Sequence, residues 1–314
     1  MPNWVFNTVS KYDNELYNKY KGEEGQEIDF NKIIPEPEEI ANTISGSINK
    51  EARLIKKYNK FMDSVKDKEN VSKYSNPLYS DLKKDADRKA EVIGYSAIEN
   101  PDKSLNEIRK EDTHVDGTYN DYTNLYGNKD FHKLNNKEFI NSCDKYRNKV
   151  NDKFLNQYVN NKSEIGLIGF KNIEEYADHI DNLKEKYGTD NWYDWRNANW
   201  GTKWNAGETY YDPEMEQMQF DTAWSIPQPI FAKIAEDNPN KELDIYSEEE
   251  TGWFVESETK DGKYYETASG EILYDEETDG RTETRQEYNP PVLISKEELK
   301  ERYGYISQAI NNFI

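Results

Sequence analysis

WRNANWGTKWNAGETYYDPEMEQMQFDTAWSIPQPI, residues 195–230, is the stretch on which the fold turns. Trp200, Thr202, Trp204 and Ala206 alternate with Gly201, Lys203 and Asn205. Beyond Asp212-Pro213, Phe220, Thr222 and Trp224 alternate with Asp221 and Ala223. A period of two on either side of a turn signal predicts a β-hairpin. With the turn near Asp212, the expected register opposes Trp204 to Phe220, Thr202 to Thr222 and Trp200 to Trp224 on one face, and Lys203 to Asp221 on the other. Aromatic pairs would fix that register and an opposite-charge pair would support it.

Working outward, Trp4 to Val9 is short, aromatic and β-branched, as an initial strand should be, and Lys11 to Tyr20 predicts a brief helix. FNKIIPEP, residues 30–37, reads as extended, because proline disfavours helix in the residue before it. Apolar residues then recur every three or four positions: Ile40, Ile44, Ile48, Ala52 and Ile55; Leu78, Leu82, Ala86 and Ala90; Phe139, Cys143, Tyr146 and Val150; Ile173, Tyr176, Ile180 and Leu183. Each set predicts one face of a helix. After the hairpin, the proline-rich Ile226 to Pro229 should open a helix, and Leu243 to Tyr246 a strand. Three acidic β segments separated by Asp261-Gly262 and Ser269-Gly270 follow, and Ser295 with Glu298 caps a last helix.

In order, the core is strand, helix, long insertion, strand, strand, helix, strand: the βαββαβ ferredoxin-like order of an α+β protein. The expected division is a split core at 1–40 and 192–250, a helical insertion at 41–191, and an acidic β extension with a C-terminal helix at 251–314.

Four blocks in that order, MPNW at 1–4, FNKIIPEPEE at 30–39, WRNANWGTKWNA at 195–206 and FDTAWSIPQPI at 220–230, resemble the YubB ferredoxin-like family of bacterial plasmid and phage proteins. The resemblance covers about a quarter of the chain directly. It implies a ferredoxin-like domain carried by mobile elements, and it implies no activity.

The chain of 314 residues has a net charge of −21. Between Ala206 and Glu287 stand 23 Asp and Glu against 6 Lys and Arg, so this quarter holds most of the excess. Such a surface repels nucleic-acid backbones and attracts basic partners. A run of solvated acid that only aids solubility is the plainer reading. Lone Cys143 excludes an intramolecular disulfide and a cysteine metal cluster, which suits a reducing cytoplasm. Neither a signal peptide nor a membrane-spanning run is expected.

Catalytic machinery is not evident: His114, His132 and His179 are scattered, and no glycine-rich phosphate loop or nucleophile elbow occurs. Cys143 falls on an apolar helix face, where an inert thiol is expected. Arg196, Asn197, Asn199, Lys203, Asn205 and Asp221 form the best polar constellation. Lys203 and Asp221 could hold an anionic or nucleotide ligand while Trp200, Trp204 or Trp224 stacks a base. Equally, they could be a structural ion pair beneath a tryptophan-packed hairpin. The clusters Glu248, Glu249, Glu250 and Asp275, Glu276, Glu277 are candidate contacts for a basic partner, since neither has the spacing of an EF-hand.

The expected function is therefore non-catalytic: a protein of a phage or mobile element that binds a host protein, inhibiting a host defence or nucleic-acid-handling enzyme through an acidic surface. No cofactor is expected. An RNA- or nucleotide-binding module and an enzyme of unrecognised type are the alternatives.

Overall fold

The computed structural model describes residues 3–66, 72–79, 135–159, 170–275 and 280–304. It divides into two compact units, one of residues 1–45 and 182–314 and one of residues 46–181.

In chain order the first unit begins with β1 (Trp4–Ser10), α1 (Asn14–Tyr20) and two short helices, α2 (Phe30–Ile33) and α3 (Glu38–Ala41). FNKIIPEP is therefore a helical turn in its first half, Phe30–Ile33, and extended at Ile34, the residue before Pro35, and at Pro37. The Asp29 carboxylate caps the turn, accepting the Asn31 N–H at 2.9 Å, and the extended Ile34 before Pro35 ends it. The second unit contains α4 (Ser47–Val65) and α5 (Asn136–Lys153), then a π-helical turn at Phe154–Val159. Helix α6 (Ile173–Tyr187) begins in this unit, and its last turns carry Leu183 and Tyr187 into the core of the first. There follow α7 (Trp192–Trp200), β2 (Gly207–Asp212), β3 (Gln217–Ala223), α8 (Gln228–Asp237), β4 (Asp244–Glu249), β5 (Trp253–Lys260), β6 (Lys263–Asp275), β7 (Gly280–Leu293) and α9 (Lys296–Tyr303).

The class is α+β, built on one sheet of seven strands in the order β2-β3-β1-β4-β5-β6-β7, with every neighbouring pair antiparallel. This sheet is wider than the four-stranded one expected from the βαββαβ order, because the acidic meander adds three strands beside β4. One face carries the core. Val5 and Val9 of β1, Met218 and Phe220 of β3 and Ile245 of β4 are buried with Leu16, Phe30, Trp195, Trp200, Ile230, Phe231 and Ile234 from the helices. Asn7, on the same face of β1, is also buried: its amide donates to Thr222 Oγ1 at 3.1 Å, and its carbonyl accepts from Ser247 Oγ at 2.8 Å. Satisfying both ends removes the penalty of burying an amide.

The expected hairpin register is not the one formed. Trp192 to Trp200 is a helix, with Asn191 accepting the Asp194 N–H at 2.9 Å as its N-cap and Gly201 at φ 78° ending it. A side chain at Gly201 would sit 2.8 Å from Pro229 Cδ, so both the turn and the packing of α8 require glycine. Trp192 and Trp195 stand at a helical step of three while Trp200, Thr202 and Trp204 alternate, and burial of Trp195 and Trp200 in the core selects the helix through Trp200. Strand β2 consequently starts at Gly207, which pairs with Asp221, and after a bulge Tyr211 pairs with Met218. Lys203 lies before the strand.

Within the second unit, Ile48, Ala52 and Ile55 of α4, Phe139, Cys143, Tyr146 and Val150 of α5, and Ile173, Tyr176 and Ile180 of α6 are buried, as their spacing predicts. Arg53 and Lys56 of α4 each reach Asp181 of α6 at 2.7 Å. The Cys143 thiol is fully buried near the Asn76 amide, and burial pushes its pKa up to about 12. Thiolate is the reactive form. Native protein should therefore label with a thiol reagent orders of magnitude more slowly than urea-unfolded protein; equal rates in a colorimetric thiol assay would contradict the assignment. The expected helix over Leu82 to Ala90, His114 and His132 lie outside the described residues.

Candidate functional site

Several residues that sequence reading offered as ligand contacts are committed to the fold. Arg196 forms a two-pronged pair with Glu36, at 2.9 Å and 2.7 Å, and its guanidinium lies 5.0 Å and 5.1 Å from the Trp192 and Trp200 ring centroids. Trp200 is buried, donating Nε1–H to the Ile34 carbonyl at 2.9 Å. The buried Asn199 amide donates to the Trp195 carbonyl at 2.8 Å. Asn205 accepts the Phe30 N–H at 2.9 Å and donates to Asp29 at 2.7 Å, holding α2 to the start of β2. Half-exposed Asn197 donates to the Tyr193 carbonyl one turn back, at 2.7 Å.

Lys203, Trp204, Asp221 and Trp224 behave differently. Alternation along β1 points Trp4, Phe6, Thr8 and Ser10 away from the core, and cross-strand partners share a face. This face carries three rows across β3, β1, β4 and β5: Asp221, Phe6, Glu248, Phe254; Gln219, Thr8, Tyr246, Glu256; Gln217, Ser10, Asp244, Glu258; it is open around β1 and closes at Phe254, which is buried. Phe6 is 48% exposed there, Trp204 39% and Trp224 53%. Trp204 packs on Trp4 at 5.9 Å, and Lys203 Nζ lies 3.9 Å from the Trp204 centroid and 5.6 Å from that of Trp224.

Trp224 has φ 74°, and its N–H is held by the Asn3 carbonyl at 2.8 Å. A bulky residue in the left-handed region is strained, and strain of this kind concentrates at functional sites. Lys203 and Asp221 do not pair, contrary to the expected register. The Asp221 carboxylate has no hydrogen bond or ion pair among the described residues; burial, and then the charge of Glu208, raise its pKa.

The remaining carboxylates on this face differ in how far they are neutralised. Asp244 pairs with Lys11 at 2.8 Å, and Glu256 with both prongs of Arg285. They border, with Glu258, Thr8 and Tyr246, a shallow depression of ≈ 280 Å³. Glu248 accepts from the Tyr246 hydroxyl at 2.8 Å, and Glu250 is exposed. Glu249 departs from the expectation of a partner contact. It points into the core side, 4% exposed, where its carboxylate accepts the N–H and hydroxyl of Thr251. Burial works against its ionisation, yet these bonds and one from Asn3 hold the pKa below the usual carboxylate value. The side chain of Asp275 and all of Glu276 and Glu277 lie outside the described residues.

Sequence reading missed Trp4 and Phe6 as surface residues. Their alternation with Val5, Asn7 and Val9 was available; which face was open was not. Among the described residues no cluster of three or more His, Cys, Asp or Glu is placed to hold a metal ion, and no helix is long and apolar enough to cross a membrane.

No protein-family profile matches the chain, and no curated protein matches it. Among solved structures it is similar to protein api92 from Yersinia pseudotuberculosis, assigned to the DUF1281 family, at 8% identity and a TM-score of 0.30, over 88% of this chain and 99% of that one.

Proposed function

We propose that this chain is a non-catalytic binding protein of a phage or other mobile element, related to the YubB ferredoxin-like family, that engages a basic surface of a host protein in the host cytoplasm and so inhibits a defence or nucleic-acid-handling enzyme. The observation that carries the reading is the open sheet face, where exposed Phe6, Trp204 and Trp224 adjoin Asp221, Glu248 and Glu250. Exposed aromatic anchors bordered by acid suit a partner surface of Arg and Lys, whose stems are apolar and whose heads are cationic. A ferredoxin-like core is part of the proposal. It is supported by the order β2-β3-β1-β4 among the first four strands, with α8 in the connection from β3 to β4.

One observation favours a second reading. Exposed aromatic rings on a central strand and beside it can stack nucleobases, as an RNA- or nucleotide-binding module requires. Against it stands the charge: Asp221 and Glu248 flank Phe6 where phosphates would run.

Capture of the host partner by tagged protein, followed by association rates across a salt series, tests the proposal. The double variant Glu248→Gln/Glu250→Gln should slow association several-fold and flatten the salt dependence, since rim charges act mainly on the on-rate. Glu249 is left intact because its replacement would disturb buried hydrogen bonds. Rates indifferent to both salt and substitution reject the acidic-surface mechanism.

A further inference from the structure

Within the first of the rows on the open sheet face, Phe6 stands between two acids. Its directly paired neighbours are Asp221 on β3 and Glu248 on β4, so one half-exposed ring has a carboxylate on either flank. Adjacent strands stand about 4.8 Å apart, which puts the two acidic Cα atoms roughly 10 Å from each other across the ring. Side chains of that length leave between them a gap the width of one flat cation and its hydrogen bonds.

Next to this row, the Trp204 and Trp224 rings already hold an ammonium, that of Lys203. The tryptophan pair is thus filled from within, whereas the Phe6 ring has no cation over it among the described residues. Asp221 is the unpaired partner, and a positive group placed beside it would offset the cost of its partial burial.

We propose that Asp221, Phe6 and Glu248 form a seat for a single arginine side chain of a basic segment of the partner, the guanidinium lying on the Phe6 ring and donating to the two carboxylates, with Trp224 walling one end. This rests on the reading of the open face as a protein-binding surface. Arginine fits better than lysine for three reasons. Its guanidinium is planar and stacks on an aromatic face, it presents donors in opposite directions within one plane, and it is less strongly hydrated than an ammonium. A phosphate or a nucleobase with its backbone would meet Asp221 and Glu248 as like charges.

The test titrates the full chain with three probes: a capped peptide of alternating arginine and glycine, its lysine counterpart, and a single-stranded oligouridine, followed by tryptophan fluorescence and calorimetry. Expected are binding of the arginine peptide at least threefold tighter than the lysine peptide, and at least tenfold weakening of it by Asp221→Asn and by Phe6→Ala. Glu297→Gln, at an exposed position on α9, should leave it within a factor of two. Phe6 is half exposed and Asp221→Asn is isosteric, and circular dichroism checks that both variants are folded.

Arginine and lysine peptides binding equally, or Glu297→Gln weakening binding as much as Asp221→Asn, would leave only diffuse charge and overturn the seat. Binding that Phe6→Ala and Asp221→Asn leave unchanged overturns the seat while sparing the wider face. Binding of neither peptide, or of oligouridine in preference, overturns both.

Discussion

Substituting Trp200 with alanine is expected to lower the unfolding free energy by about 3–5 kcal/mol, the usual cost of emptying a large aromatic site in a core. The ring is 1% exposed and meets Phe30 and Trp195 edge-to-face, each at 5.9 Å. Its indole N–H is the partner of the Ile34 carbonyl, so the alanine variant loses that hydrogen bond as well as the packing. Trp200→Phe should recover most of the packing and leave a deficit of about 1–3 kcal/mol from the orphaned carbonyl. Urea unfolding of the three proteins measures both. A loss below about 1 kcal/mol for Trp200→Ala, where exposed substitutions fall, would return Trp200 to the role of a ligand-stacking ring.

Arg196→Met should be nearly as damaging, at about 3–5 kcal/mol, because it strands the Glu36 carboxylate without its charge partner. The Glu36 side chain is only 4% exposed while that of Arg196 is 25% exposed, so the penalty lies mainly with the acid. The double variant Glu36→Gln/Arg196→Met should therefore be more stable than Arg196→Met alone. A double-mutant cycle in urea gives the coupling; additive losses would mean that the two-pronged pair contributes nothing and that Arg196 is available for a ligand after all.

These two residues also mark where the sequence misleads. Element types were legible where one period acted alone: the apolar faces of α4, α5 and α6, the proline-led start of α8, and Ser295 accepting the Glu298 N–H at 3.2 Å before α9. Around Trp192 to Ala206 two periods coexist: Trp192 and Trp195 stand at a helical step of three, while Trp200, Thr202 and Trp204 alternate as in a strand. Tertiary burial broke the tie, and with it went the expected pairing of Trp204 with Phe220 and of Lys203 with Asp221. The site was half visible. Lys203, Trp204, Asp221 and Trp224 do gather on one face, though through the exit of α7, the middle of β3 and a strained turn rather than through a regular hairpin. Arg196 finds Glu36 across 160 residues, which no local pattern announces, whereas Asn199 turns back to the Trp195 carbonyl one helical turn away and Glu249 caps Thr251 two residues on, local bonds that became readable only once the helix and the strand end were placed.

The position of β1 in the sheet has a consequence for synthesis. Both its neighbours are made much later: β3 begins at Gln217 and β4 at Asp244, more than 200 residues beyond Ser10. At about 5–20 residues per second, a strand with three aromatic or valine side chains in its first three positions waits on the order of 10–40 s for its first partner. No local hairpin can shelter it, because the elements that follow it closely, α1 to α3, are all helices. The nascent chain therefore presents an unpaired apolar strand until β3 and β4 have been made. A holdase that binds extended hydrophobic segments should be found on ribosome-bound chains that end before Gln217, and should leave once β3 and β4 have emerged.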